Sequence, residues 1–503
     1  MIGSVLASTG FSAPNLDYHA LAPEIVLVGG LVVLLLLDLV LPDRSKWATS
    51  TVSAMVLVGA LVPILTLARD GATRSMLDSG YVVDDFALVM KGLLLVAGVV
   101  VVLMSANYVE EGDYYQGEYY FLLVSSILGM VAMASARDLI MIFVALETLS
   151  IPAYLLAGWR KRDNKSNEAS LKYYLLGVVA SAIMLYGMSL IYGATGETNL
   201  FKISTALSST SADLDRLVAT GVILSLLGFA FKVSAVPFHQ WAPDTYEGAP
   251  TPITAFLSVA SKTAGFVALL ELAFVAFGGQ TDSWGPLMWV LSALTMTVGN
   301  LIALRQTNVV RMLAYSSVAQ AGYILVPFAV AGNDSIAGES SMAAVAVYVL
   351  AYAFMNLGAF AVVIAVSRKT RSGEITSFGG LFEYAPGLAV LMTLFLAALI
   401  GIPPTVGFAG KLWIMRSIFD SGSASAVAIG VVLAVNTAIA AYYYLSVARE
   451  MWMKPVVDGD RTPIRVPQTL AAAMVITALG TIILGILPQL LGRLGDASVL
   501  VKG

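Results

Sequence analysis

Residues 231–266 read FKVSAVPFHQWAPDTYEGAPTPITAFLSVASKTAGF. Lys232 follows the apolar run VILSLLGFAF, residues 222–231, and Pro237 behind it removes a backbone donor and stops helical continuation. An apolar run resumes after Pro252. Ten residues on, about 15 Å of helix, stands a second lysine, Lys262, among Ala, Val, Leu and Phe. In a soluble protein the first lysine would mark a helix end in water; the length and apolarity of the flanking runs point to another solvent.

The whole chain supports that reading. Its 503 residues are 58% hydrophobic and only 12% charged, with a mean hydropathy of +0.84, whereas soluble domains carry about 25% charge. This is the composition of an integral membrane protein. A helix crossing a hydrocarbon layer of about 30 Å needs about 20 mostly apolar residues. Fourteen such stretches are predicted, at 24–41, 48–68, 86–107, 119–136, 138–158, 169–193, 215–237, 251–277, 285–304, 309–331, 342–366, 387–415, 425–448 and 467–491. They are long and continuous rather than alternating over about ten residues, so helices are expected and not a barrel. The predicted fold class is an all-α polytopic membrane protein with no separate soluble domain. The first residues lack a basic segment and a cleavage site, so no removable signal peptide is expected.

Basic residues give the orientation. Loops after odd-numbered stretches carry fifteen Lys and Arg, including those of WRKRDNK at 159–165. The opposite loops and termini carry seven, among them Arg69, Arg137 and Lys502. The positive-inside rule then predicts both termini on the outer side. Six of the 28 basic residues remain inside the stretches: Lys91, Lys172, Lys232, Lys262, Lys411 and Arg416. Each costs about 2.5 to 3.5 kcal/mol at mid-helix on insertion scales. Lys91 and Arg416 lie near stretch ends and are expected to snorkel to headgroups, as are the acids Asp38 and Glu271.

The others sit deeper. Lys262 is near the bilayer centre, and Glu147, nine residues after Asp138 in DLIMIFVALETLSIPAYLLAG, is at similar depth. Lys411 ends GIPPTVGFAGK, residues 401–411, whose two prolines and three glycines exclude an uninterrupted helix. Lys232 precedes a second expected break, and Lys172 is shallower. Such charges can pair simply to hold helices together, or they can form a buried path for protons. Lysine suits the second role, because desolvation weakens an amine's hold on its proton by up to about 3–5 units while a nearby carboxylate restores it. Broken membrane helices also tend to line ion sites.

Other chemistries are excluded or unsupported. With no cysteine, the chain cannot hold iron–sulfur clusters, thiolate zinc or disulfides. Two histidines, His19 and His239, are too few for a pair of bis-histidine haems. There is no GxGxxG or GxxxxGK[ST] stretch, and a net charge of −4 with pI near 5.3 gives no nucleic-acid signature.

The stretch at 231–266, together with NVVRMLAYSSVAQAGY (308–323), EASLKYYLLG (168–177) and PPTVGFAGKLW (403–413), resembles the antiporter-like membrane subunits of bacterial respiratory NADH:quinone oxidoreductase, complex I. The tail DTYEGAPTP and a lysine at 411 resemble the subunit N type rather than its L and M sisters. The likeness runs from about residue 84 to 450. It implies two inverted five-helix repeats, stretches 4–8 (119–277) and 9–13 (285–449), with the seventh and twelfth broken. Residues 1–118 then hold the first three stretches, and 450–503 the last. It implies that Glu147 and Lys232 are a paired acid and base, Lys262 the central lysine, Lys411 the lysine facing the exit, Lys172 an additional lysine, and His239 a relay or a structural residue of the break. Where many relatives carry lysine, this chain has Val310, and no role is carried over there.

The implied activity is non-redox proton export in a multi-pass subunit of the bacterial plasma membrane. The implied partners are the bilayer, the antiporter-like L and M subunits and the small K and J subunits, with no nucleic acid. NADH, FMN, Fe–S clusters and quinone are expected in other subunits, and no cofactor in this chain. The alternative is a subunit of a multisubunit Mrp-type cation/proton antiporter, and a third possibility is a scaffolding copy with a vestigial channel.

Overall fold

Polar residues at the edges of the apolar runs start the helices. The side chains of Asp84, Asp138, Asp163 and Asn308 each accept hydrogen bonds from backbone amides of the turn that follows, satisfying donors a helix leaves open. The computed structural model describes residues 15–42, 45–112, 114, 116–208, 214–332, 335–457 and 459–497. The predicted sidedness of the termini falls on segments 1–14 and 498–503, and the loop cations Arg44 and Lys502 likewise lie outside the described residues.

Helices α1 (Ala22–Val40) and α2 (Ala48–Asp70) lead to a short antiparallel hairpin, β1 (Arg74–Met76) and β2 (Tyr81–Val83), with Arg74 opposite Val83. This hairpin is a small departure from the predicted all-α chain. There follow α3 (Asp85–Glu111), α4 (Gln116–Met133), α5 (Leu139–Ala157), α6 (Asn164–Thr195), the short α7 (Leu200–Ser208), α8 (Asp215–Lys232) and α9 (Trp241–Gly248). Next is α10 (Thr251–Ala276), in which π turns at Leu257–Ser261 and Glu271–Ala276 bracket Lys262–Leu270. The remainder is α11 (Thr281–Ala303), α12 (Val309–Val330), α13 (Ser335–Thr370), α14 (Leu381–Tyr384), α15 (Pro386–Ile400), α16 (Val406–Ser421), α17 (Ala424–Met453), α18 (Gln468–Ile486) and α19 (Pro488–Ala497). Among the described residues, eleven helical segments are long and apolar enough to cross a membrane. α4 begins at Gln116 and α17 continues to Met453, a few residues outside the stretches predicted at 119–136 and 425–448.

Burial sorts the helices into a centre and a rim. The most apolar windows of α10, α13 and α12 are 100%, 94% and 89% buried, against 28% for α1, α2 and α17. A polar path shielded from lipid is therefore best placed against the first group. Helices α11 and α12 touch backbone to backbone: a Cβ on Gly322 would lie 2.5 Å from Met296 N, and one on Gly299 2.7 Å from Ala319 N.

The chain leaves the helix at both predicted breaks. α8 stops at Lys232, followed by Ser234 with φ +61° and a cis Val236–Pro237 bond. α15 stops at Ile400, followed by Gly401 with φ +91° and a cis Pro403–Pro404 bond.

Candidate functional site: a buried lysine seam

Lys232, the last residue of α8, is 4% exposed. Its Nζ donates to Ser150 Oγ on α5 at 2.9 Å and to Tyr173 OH on α6 at 3.1 Å. The Tyr173 ring stacks on Trp241, centroids 4.4 Å apart, and the Trp241 indole N–H donates at 3.0 Å to Phe231 O at the end of α8, which also accepts from Ser234 N at 2.9 Å. The break thus organises the pocket around the amine.

Glu147 lies one turn before Ser150 on α5, and accepts from Ser181 Oγ on α6 at 2.6 Å. No oxygen of Glu147 lies within the 4.0 Å of Lys232 Nζ that a direct ion pair requires, so the acid and the amine implied as partners by the resemblance are neighbours without direct contact. Neutral hydroxyls on α5 and α6 hold the two groups instead.

Lys262 is 1% exposed, and its Nζ donates to both Ser317 O (2.9 Å) and Ser317 Oγ (2.6 Å) on α12. One turn further along α10, a Cβ on Gly265 would stand 3.1 Å from Lys232 Cγ. The absence of a side chain there lets the stem of Lys232 pack against the helix that carries Lys262. Lys411, 7% exposed, donates to Ile400 O at 2.8 Å and Thr437 Oγ1 at 3.1 Å, with its Nζ 4.7 Å from the centre of the Tyr323 ring.

Helix α12 joins the second and third amines. Next to Ser317, Ser316 hydrogen-bonds Tyr444 OH. One turn on, Gln320 Nε2 donates to Tyr444 OH at 3.4 Å and to Leu399 O at 3.2 Å, while Tyr348 OH donates to Gln320 Oε1 at 2.6 Å. Leu399 precedes Ile400, whose carbonyl holds Lys411. Tyr323, one turn past Gln320, accepts from Asn300 Nδ2 at 3.2 Å. Residues 316, 320 and 323 share one helical face. Sequence reasoning missed Ser150, Tyr173, Ser317, Gln320, Tyr348 and Tyr444. The available signal was the recurrence of polar groups at helical spacing within AYSSVAQAGY, residues 314–323.

Two residues assigned to the pathway lie apart from the seam. Lys172 is 41% exposed, and its Nζ is 2.6 Å from both Glu168 and Asp244. Arg311 Nη1 is 2.9 Å from Asp244 and from Glu247, and Lys165 is 3.0 Å from Glu247. Partial burial pushes the Asp244 and Glu247 carboxyls up, but hydrogen bonds from Lys172 and Arg311 to Asp244, and from Lys165 and Arg311 to Glu247, outweigh it and hold both below their usual values. His239 is half-buried in the first break, its ring 6.5 Å from that of Tyr315, and no hydrogen bond joins it to Lys232 or Lys172.

The expected snorkelling groups divide. Arg416 is 63% exposed, 3.5 Å from Asp420, and Asp38 is 3.3 Å from Lys46 near the surface. Lys91 and Glu271 instead point inward and are fully buried. Lys91 Nζ is 2.8 Å from Glu24 and from Tyr81 OH, and Glu271 is ion-paired with Arg137. Arg137, counted above as a loop cation, is itself buried. Position along a helix measures depth in the membrane but not which neighbours flank it, so the sequence count could not see this.

Residues 136–437 match the family model described as NADH:quinone oxidoreductase/Mrp antiporter, transmembrane. The NADH-quinone oxidoreductase subunit N of Trichlorobacter lovleyi is 40% identical over 486 residues, covering 96% of this chain and 97% of that protein. The protein of the same name from Anoxybacillus flavithermus is 40% identical over 485 residues, covering 94% and 95%. Among solved structures, a chain of respiratory complex I from Thermus thermophilus with bound aureothin superposes with a TM-score of 0.78 at 32% identity, covering 94% of this chain and 99% of that one. A chain of the Mrp complex from Dietzia superposes with a TM-score of 0.83 over 96% and 97%, and at 22% identity this likeness speaks for the fold alone.

Proposed function

The chain belongs to the NADH:quinone oxidoreductase/Mrp antiporter transmembrane family, and from that premise we propose that it is a subunit N-type, non-redox, proton-translocating membrane subunit of a NADH:quinone oxidoreductase. In this reading it crosses a bacterial plasma membrane fourteen times with both termini outside. Residues 119–277 and 285–449 form two inverted repeats. NADH, FMN, Fe–S clusters and quinone belong to other subunits, and L, M, K and J subunits are its membrane partners.

Redox energy released elsewhere alters the interaction of Glu147 with Lys232. A proton then passes from Lys232 to Lys262, along α12 to Lys411, and out. Lys172 and His239 serve the approach to Lys232 rather than the seam. Moving one charge against 100 mV requires about 2.3 kcal/mol, and a swing of two units in proton affinity supplies about 2.7 kcal/mol.

The observation that carries this reading is that three buried amines meet only neutral acceptors. Lys232 meets Ser150 and Tyr173, Lys262 meets Ser317, and Lys411 meets Ile400 O and Thr437. Ammonium groups serving only to pin helices would be neutralised by carboxylates, because an unpaired buried charge is strongly disfavoured. An amine facing hydroxyls and carbonyls can release its proton without stranding an anion.

The test is Lys232→Ala and Glu147→Gln in the assembled complex, with assembly, NADH:quinone electron transfer and proton export measured separately. Loss of export with assembly retained is expected. Unchanged export would make this copy a scaffold. Failure of the chain to co-purify with Fe–S subunits would favour the Mrp-type antiporter instead.

A further inference from the structure

Where α3 begins and α4 and α10 end, a second set of buried charges stands outside the lysine seam. Arg137, in the turn between α4 and α5, donates from Nη2 to Asp84 Oδ2 at 2.9 Å and is ion-paired through Nη1 with Glu271 Oε1. The three side chains are 0%, 1% and 0% exposed. Asp84 is fully engaged, since its Oδ1 also accepts from Ala87 N at 2.8 Å as the cap of α3. Glu271 Oε1 has the Arg137 ion pair but no hydrogen-bond partner, Oε2 has neither, and Arg137 Nε has no hydrogen-bond partner.

The charge count does not close. A guanidinium is always cationic, so two ionised acids around one arginine leave a buried net negative charge, which a protein interior strongly disfavours. Neighbouring charges offer no relief. Lys91, two turns along α3, is compensated by Glu24. Lys202 on α7 is compensated by Asp78 at 2.5 Å. Asp138, beside Arg137, is an acid that accepts from Thr198 Oγ1 at 2.6 Å.

We propose that the Arg137–Asp84–Glu271 cluster is a proton-holding site, with one exchangeable proton on Glu271 and the negative charge kept on Asp84. Asp84 takes the charge because two donors already face it, and Glu271 takes the proton because one of its oxygens is free. The place suits exchange with water. Glu271 opens a π turn, a distortion often found at functional sites, and Phe274 and Val275 in that turn border a cleft of about 700 Å³ shared with Glu197, Lys202 and Thr205. The site stands independently of the translocation reading, because a proton can be held here whether or not the seam conducts.

Infrared difference spectra of the purified assembled complex, wild type against variant, test it in H2O and D2O. Wild type minus Glu271→Gln is expected to show one protonated-carboxyl C=O stretching band that shifts in D2O. Asp84→Asn is expected to lose the same band, since Glu271 must then ionise to balance Arg137, so either variant suffices if the other fails to assemble. Absence of the band from the difference spectra would overturn the proposal. So would a thermal midpoint that sodium raises in the wild type and not in Glu271→Gln, because the missing positive charge would then be a metal cation.

Discussion

Lys91 and Lys262 are both buried lysines, yet their surroundings assign them different work. Lys91 has a carboxylate, Glu24, at 2.8 Å as a partner of opposite charge. Lys262 has only the carbonyl and hydroxyl of Ser317, so its proton is balanced against a single neutral residue. Removing one hydroxyl acceptor changes such a balance by about 1 kcal/mol, roughly fivefold. Ser317→Ala keeps the carbonyl and is therefore expected to leave assembly and electron transfer intact while proton export per turnover in sealed vesicles falls several-fold; export at the wild-type level would show that the hydroxyl does not set the amine's proton affinity. The depth of Lys262 was legible in the sequence, since ten residues from Pro252 measure it directly. Its acceptor was not, because Ser317 lies 55 residues away and only tertiary packing brings it there.

Among the elements, the two breaks supply what regular helices cannot, namely backbone carbonyls inside an apolar interior that take side-chain donors. Ile400 O turns to Lys411, and Phe231 O to the indole of Trp241. Gly401 is the pivot of the second break: φ +91° suits glycine, and an added Cβ would lie 3.0 Å from Lys411 Cδ. Gly401→Ala is expected to lose about 1–2 kcal/mol to the left-handed backbone and also to displace the lysine stem. Gly71→Ala is the control, since Gly71 has φ +62° and open space around its Cβ position. Both variants should lower the thermal midpoint of the purified complex, and only Gly401→Ala should also reduce proton export. Proline and glycine announced these breaks in the sequence because their effect is local. The π turns flanking Lys262–Leu270 had no such marker, since they depend on how α10 packs against its neighbours.

For the molecule as a whole, α9 is a strap between α6 and α12. Asp244 binds Lys172 of α6 and Arg311 of α12, and Glu247 binds Lys165 of α6 and the same Arg311. The sequence offered Lys172 as a shallow lysine of the pathway, and nothing in the spacing of Lys165, Asp244, Glu247 and Arg311 revealed that one arginine bridges two acids across the bundle. Both carboxyls titrate lower in the folded chain than their ordinary 3.8 and 4.5. Their contribution is therefore fully present above those ordinary values and is lost as pH falls below them through the depressed folded values. Asp244 is 31% exposed, so solvent and salt screen the cluster, and Asp244→Asn is expected to destabilise by about 1 kcal/mol at neutral pH. Thermal denaturation of wild type and Asp244→Asn across pH reads this directly: the two midpoints should differ at neutral pH and converge in acid, whereas a gap that persists unchanged in acid would mean that Asp244 acts through its shape and hydrogen bonds rather than its charge.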